Sequence, residues 1–283
     1  MGGNGQDRVR HPRLTLAAAG AAPPPLVAVA HGSRDPRAAA TVSELLEVVR
    51  ERDRELDVRA AFLDHCAPSL PQALGSLDGR PAVVVPLLLT AAYHSKTDIP
   101  ARLAEAAAAR PWPAVTSSAE PLGPHRLLTA ALERRLGEAG VAVGDPAARA
   151  ATGVVLAAAG SSDPAANATI AALAARWHRE RGWRAVLPAY ASAAGPRPAE
   201  AVAALRSAGM SPVVVATYLL APGFFADKVR DAALGAGAAA VSGALGAAPE
   251  VADTVLERYR AAVSAARPER APGQGRTAIP ALG

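Results

Sequence analysis

Leu26-Val27-Ala28-Val29-Ala30 runs straight into His31-Gly32-Ser33-Arg34-Asp35-Pro36, and the fold is read outward from this join. Five consecutive apolar residues fit a strand covered on both faces. That strand delivers a histidine, an arginine and a carboxylate to one loop, where the chain stops being apolar. Pro36 stands at the first-turn position of a following helix, with Ser33 and Asp35 placed to cap it. Open α/β sheets bind ligands at this edge.

Downstream, Ala38 to Leu56 carries Val42, Leu45, Leu46 and Val49 at helical spacing among Glu and Arg, the pattern of an amphipathic helix. Val58 to Leu63 reads as a second strand ending in Asp64-His65-Cys66, followed by a turn and helix start at Pro68-Ser69 that continues through Leu74. Ala82 to Leu89 is the longest apolar run of this half and fits a central parallel strand. It empties into a polar loop, Thr90 to Pro100, that carries His94 and Lys96. A helix over Ala101 to Ala109, a weak strand near Val115 and a helix over His125 to Ala139 complete the half. Strands alternating with helices imply βαβ crossovers and a parallel sheet, with His31, Asp64 beside His65, and His94 at three strand ends.

The second half repeats this plan. Val155 to Pro164 echoes Val27 to Pro36, with Gly160, Ser161, Asp163 and Pro164 kept; Ala189-Tyr190 to Val202 echoes Ala61-Phe62 to Leu74. Val213 to Leu220 answers Val83 to Leu89, and Ala221 to Asp227 answers the His94 loop. Such agreement in order and spacing indicates internal duplication. The expected architecture is two similar doubly wound parallel-sheet α/β domains facing a central cleft. They span residues 25–140 and 150–267, joined near Gly140 to Arg149. Residues 1–24 and 268–283, rich in Gly, Pro and Arg, are expected as mobile tails. The copy keeps the scaffold and drops the chemistry: Ala159 stands for His31, Ser192 for Asp64, Ala193 for His65, and Phe224 or Phe225 for His94. This asymmetry points to a functional site in the first half.

Composition narrows the function classes. All but two of the 30 basic residues are arginine, the exceptions being Lys96 and Lys228. No basic block with interleaved aromatics supports nucleic-acid binding, so the formal charge of +5 suits an anionic small molecule. One cysteine, Cys66, excludes a disulfide framework or a Cys-based metal cluster and fits a small buried residue. No apolar stretch is long enough to span a membrane and no signal-peptide layout is present, so a soluble cytoplasmic protein is expected.

Two histidines from adjacent strand ends, with one or two further side chains, suit a divalent metal with open positions. Asp64 is placed to ligate or to accept a proton. Arg34, Arg37, Lys96 and Arg102 are expected to form a basic rim for carboxylates. Read alone, each histidine is as often satisfied structure as ligand. His65 has the weaker case, because strand alternation turns it away from Asp64. His11, His125 and His178 are expected to be solvated. No G-x-S-x-G elbow and no G-x-G-x-x-G or Walker pattern occurs, which argues against acyl transfer and nucleotide binding.

His31 to Pro36, Ala61-Phe62-Leu63-Asp64 with Pro68-Ser69, and Pro86 to Leu89 through Tyr93-His94 to Asp98-Ile99-Pro100 together resemble the sirohydrochlorin chelatases, among the class II tetrapyrrole chelatases. The duplicated form resembles the longer bacterial members. The resemblance implies a lyase-type chelatase that inserts ferrous iron, or cobalt, into sirohydrochlorin for sirohaem or cobalamin. The metal is a substrate, with no permanently bound cofactor and with sirohydrochlorin as partner. Iron is slightly favoured over cobalt for want of a His-rich or Cys-rich extension. The family's metal-handling histidines fall on His31 and His94, and its acidic residue on Asp64, where the family has glutamate; Ala92 stands where glycine is usual. Ser33, Arg34 and Lys96, with Phe224 and Phe225 as walls for the macrocycle, are the expected substrate contacts. Ordinary interdomain core is the competing reading for the two phenylalanines, and a non-enzymatic tetrapyrrole or metal carrier is the competing function.

Overall fold

The computed structural model describes residues 22–90 and 117–266. The apolar run forms β1 (Leu26–Ala30), buried throughout. β2 (Val58–Phe62) and β3 (Val83–Pro86) pair parallel on its two sides, and β4 (Ser117–Ser118) extends the sheet beyond β3, in the order β2-β1-β3-β4. The second sheet repeats the order as β6-β5-β7-β8: β5 (Gly153–Ala158), β6 (Ala185–Tyr190), β7 (Val213–Tyr218) and β8 (Ala240–Val241), again all parallel. Strand order reverses between β1 and β3 and between β5 and β7, the switch point at which such sheets open a crevice.

Helices join the strands: α1 (Pro36–Arg52), α2 (Leu70–Gly75), α3 (Arg126–Glu138), α4 (Pro146–Ala151), α5 (Pro164–Arg181), α6 (Pro198–Ser207), α7 (Phe224–Gly235) and α8 (Pro249–Ala266). Of the two residues expected to cap α1, Asp35 does so, whereas Ser33 accepts from the Asp35 N–H instead of from the helix. Asp35 and Asp163 each accept a backbone N–H two residues on, and Ser69 with Gln72 closes a reciprocal capping box on α2. The third strand is shorter than its apolar run. Leu87 still donates to Val29, but Leu88 then turns to accept from Gly123, and Leu89 accepts from the Tyr218 hydroxyl of the second half. The connecting segment holds a short helix, α4, capped by Asp145.

Alternation along β1 and β5 divides their side chains. Leu26, Ala28 and Ala30 enter the same core as Val154, Leu156 and Ala158, whereas Val27 with Val29, and Val155 with Ala157, face separate outer cores. The shared core exists because the last helix of each half crosses over. α3 follows the first sheet yet packs on β7, and α8 follows the second sheet yet packs on β3, β4 and α1; the two also pack on each other.

Candidate functional site

The ladder between β1 and β2 continues past both strands. Leu63 N–H donates to Ala30 (3.0 Å) and Asp64 N–H to the His31 carbonyl (2.9 Å), so His31 and Asp64 stand side by side at the sheet edge. Gly32 makes this approach possible. Its φ is +89°, and a Cβ there would lie 1.8 Å from the Asp64 carbonyl oxygen, so only glycine fits. The loop is then tied down from both sides: Ser33 Oγ accepts from Asp35 N–H (3.0 Å) and the Cys66 thiol donates to the Ser33 carbonyl (3.2 Å). Cys66 is therefore half-buried and tied to the loop, not fully enclosed as expected. Arg34 is exposed and makes no side-chain bond among the described residues.

His65 departs from the strand-alternation expectation. β2 stops at Phe62, and the following turn takes His65 to φ +61°, which brings its Nε2 within 3.3 Å of Asp64 Oδ2. Its N–H also donates to Asp64 Oδ1 (2.8 Å). Ala193 has φ +59° at the equivalent position, so the turn belongs to the scaffold of both halves.

Two residues from the second half complete the wall over His31. A cavity of about 150 Å³ at the switch point is lined by His31, Gly32, Phe62 and Leu88 of the first half and by Leu220 and Ala221 of the second. Just beyond Ala221, Phe224 and Phe225 open α7, their rings edge-to-face at 5.6 Å and 73% and 41% exposed. They are not interdomain core. The first turn of α7 is tethered to α1: Arg37 Nη2 bonds Asp227 Oδ2 at 2.7 Å while the same guanidinium grips Asp35. These bonds to Arg37 hold both carboxyls below the usual aspartate range. Arg37, expected on a carboxylate-binding rim, is thus engaged by the protein's own carboxylates. Register makes the repeat explicit. Leu26 pairs with Val83 and its counterpart Val154 with Val214, so β3 and β7 hold equivalent places in the two sheets. His94, Lys96 and Arg102 lie outside the described residues, as does His11.

The remaining histidines are more engaged than expected. His125 is the N-cap of α3, with Nδ1 accepting from Leu127 N–H and Nε2 3.3 Å from Glu257; burial pushes its pKa down. His178, though exposed, places Nδ1 2.8 Å from the Trp183 carbonyl. Sequence reading missed the Arg37–Asp227 tether, which spans 190 residues. No local pattern signals such a pair. Among the described residues no three His, Cys, Asp or Glu side chains gather as a metal-binding group, and no helix is long and apolar enough to cross a membrane.

Set beside known proteins, the chain matches the CbiX family model twice, over residues 25–139 and 153–262. A sirohydrochlorin cobaltochelatase of Priestia megaterium is 28% identical over 207 residues, which cover 72% of this chain and 66% of the relative, just under two thirds of its length. A sirohydrochlorin ferrochelatase of the same organism is 27% identical over 209 residues, covering 72% of this chain and 75% of the relative. Among solved structures, SirB from Bacillus subtilis with Fe3+ superposes with a TM-score of 0.73 at 24% identity, over 86% of this chain and 97% of that one. At that identity the likeness is one of fold.

Proposed function

Because the chain belongs to the CbiX family, whose model matches each of its halves, we propose that it is a sirohydrochlorin chelatase. It is read as a lyase-type enzyme of the cytoplasm that inserts ferrous iron or cobalt into sirohydrochlorin, on the way to sirohaem or cobalamin. The observation that carries this reading is the unequal chemistry of two equal loops. Gly32 and Gly160 both take positive φ against the neighbouring loop's carbonyl, and Asp35 and Asp163 both cap the next helix. On this common frame only the first copy carries His31, Asp64 and His65, where the second has Ala159, Ser192 and Ala193, and His31 lines a cavity.

Chelation breaks two pyrrole N–H bonds, releases two protons and forms metal–nitrogen bonds, so the site must hold a metal weakly and accept protons. His31 and His94 are assigned to present the incoming metal ion. Asp64 is assigned to proton removal; its carboxylate is 62% exposed and can pass protons on to water. Ser33, Arg34, Lys96, Phe224 and Phe225 are assigned to the macrocycle, with Ser33 acting chiefly through the loop it shapes. The metal enters as substrate.

The test is anoxic mixing of purified protein with sirohydrochlorin and Fe(II) or Co(II), followed by the macrocycle spectrum. Acceleration over the buffer rate is expected; binding without acceleration would leave only a carrier. His31→Ala should lower turnover by about 100-fold or more with unchanged circular dichroism. Full activity in that variant would remove His31 from the site.

A further inference from the structure

The half that lost the histidines holds a second cavity, of about 250 Å³, lined by Ala191 at the end of β6, Arg197 and Pro198 at the start of α6, and Lys228, Val229 and Ala232 of α7. Two cations face it and no carboxylate does. Among the described residues neither Arg197 nor Lys228 forms an ion pair: the bonds made by Arg197 are those of its backbone, from its N–H to Glu200 Oε2 and from Ala201 N–H to its carbonyl. The acidic groups at this end of α7 are already taken. Asp227 is bound by Arg37 and Arg230, and Asp231 by Arg230. Two unpaired like charges on one concavity repel each other and are relieved when an anion enters.

The position of this cavity gives the anion a source. Lys228 lies four residues from Phe224 and three from Phe225, on the same face of α7. That helix is pinned beside the His31 loop by Arg37, and Ala221 just before it lines the His31 cavity. Along one edge the protein therefore presents a histidine, an exposed aromatic pair and an unpaired cation pair. This sequence of surfaces suits a flat macrocycle with peripheral carboxylates.

We infer that Arg197 and Lys228 form a carboxylate clamp through which the degenerate half holds the acidic rim of the tetrapyrrole while the ring lies along Phe224 and Phe225. The inference rests on the chelatase reading and extends it by giving the second half a role in recognition. Free anions such as citrate or phosphate share the ligand chemistry, so the experiment separates them.

Metal-free binding of sirohydrochlorin is measured by spectral titration for the wild type, Lys228→Ala, Arg197→Ala and the double variant. Arg179→Ala, which removes an exposed cation elsewhere on the same half, serves as control, and circular dichroism verifies folding. Each single variant should weaken binding by about three- to tenfold and the double variant more, with the loss shrinking at high salt. Lys228→Arg should restore binding, the KM for the metal ion should not move, and the octamethyl ester of sirohydrochlorin should bind wild type and double variant alike. Undiminished affinity in the double variant overturns the clamp. So does loss of citrate or phosphate inhibition alone, which would assign the cavity to a free anion. A wild type that neither binds nor metallates sirohydrochlorin fails before any variant is made, and removes the chelatase reading and the clamp together.

Discussion

At Gly32 a methyl group has nowhere to go. The φ of +89° disfavours any L side chain, and the Asp64 carbonyl lies where Cβ would be, so the loop must shift before alanine can fit. Gly32→Ala is expected to cost on the order of 3 kcal/mol in urea denaturation, and also to lower chelatase turnover, because the shift separates His31 from Asp64. Gly160 meets the same constraint, with a Cβ 2.1 Å from the Ser192 carbonyl. Gly160→Ala should therefore lose comparable stability while keeping its turnover. Equal loss of activity in the two variants would show that the loops matter only for folding. The contrast isolates the chemistry of one loop from the geometry shared by both.

Among the elements, α3 shows how a crossing helix is held. Its Glu133 is buried, accepts the Trp177 indole N–H at 3.0 Å and Arg181 Nε at 2.8 Å, and receives a second bond from Arg181 Nη2. Burial pushes the Glu133 pKa up, but the bonds from Arg181 and Trp177 outweigh it and leave the carboxyl below its ordinary 4.5. A carboxyl depressed in the folded state adds stability that is present above about pH 4.5 and lost as pH falls through the lower folded value. Glu133→Gln should cost about 2 kcal/mol at neutral pH, a value discounted because Arg181 is half exposed. Its stability should also decline less steeply below pH 4.5 than that of wild type. Parallel acid curves for the two proteins would show that the ion pair does not set acid sensitivity. At the capping scale, Asp163→Ala should cost about 1 kcal/mol through the lost bond to Ala165 N–H, read as a lower urea midpoint.

For the whole molecule, the exchange of α3 and α8 makes the two halves one folding unit. Val251, Ala252, Val255, Leu256 and Tyr259 of α8 lie in the shared core, and the Tyr259 hydroxyl reaches back to the Pro24 carbonyl at 2.7 Å. Ending the chain after Ala248 should therefore unfold the first half, measured as loss of the cooperative thermal transition and of its helical signal. A first half that melts as in the full chain would contradict the shared core. The exchange also predicts that a protease cut in the exposed stretch near Gly144 leaves both fragments eluting together on size exclusion, because each retains a helix seated on the other's sheet.

Much of this was legible locally. The five-residue apolar run, the alternation of strands with helices, and the capping Asp35 and Asp163 follow from periods of two and 3.6 residues and from turn chemistry, which act over a few residues, and the replacement of His31 by Ala159 follows from aligning the two repeats. The turn at His65, the engagement of Arg37 by Asp227, and the unpaired state of Arg197 and Lys228 depend on which segments meet. Two nearly equivalent repeats present nearly equivalent apolar faces, and periodicity states that a helix has such a face without stating which sheet will cover it. The sequence by itself thus determined two parallel α/β repeats with chemistry surviving in one. Only the tertiary structure decided that each repeat is closed by the other's last helix, and that the half lacking the loop histidines brings the start of α7, with its aromatic pair, to the edge where His31 stands.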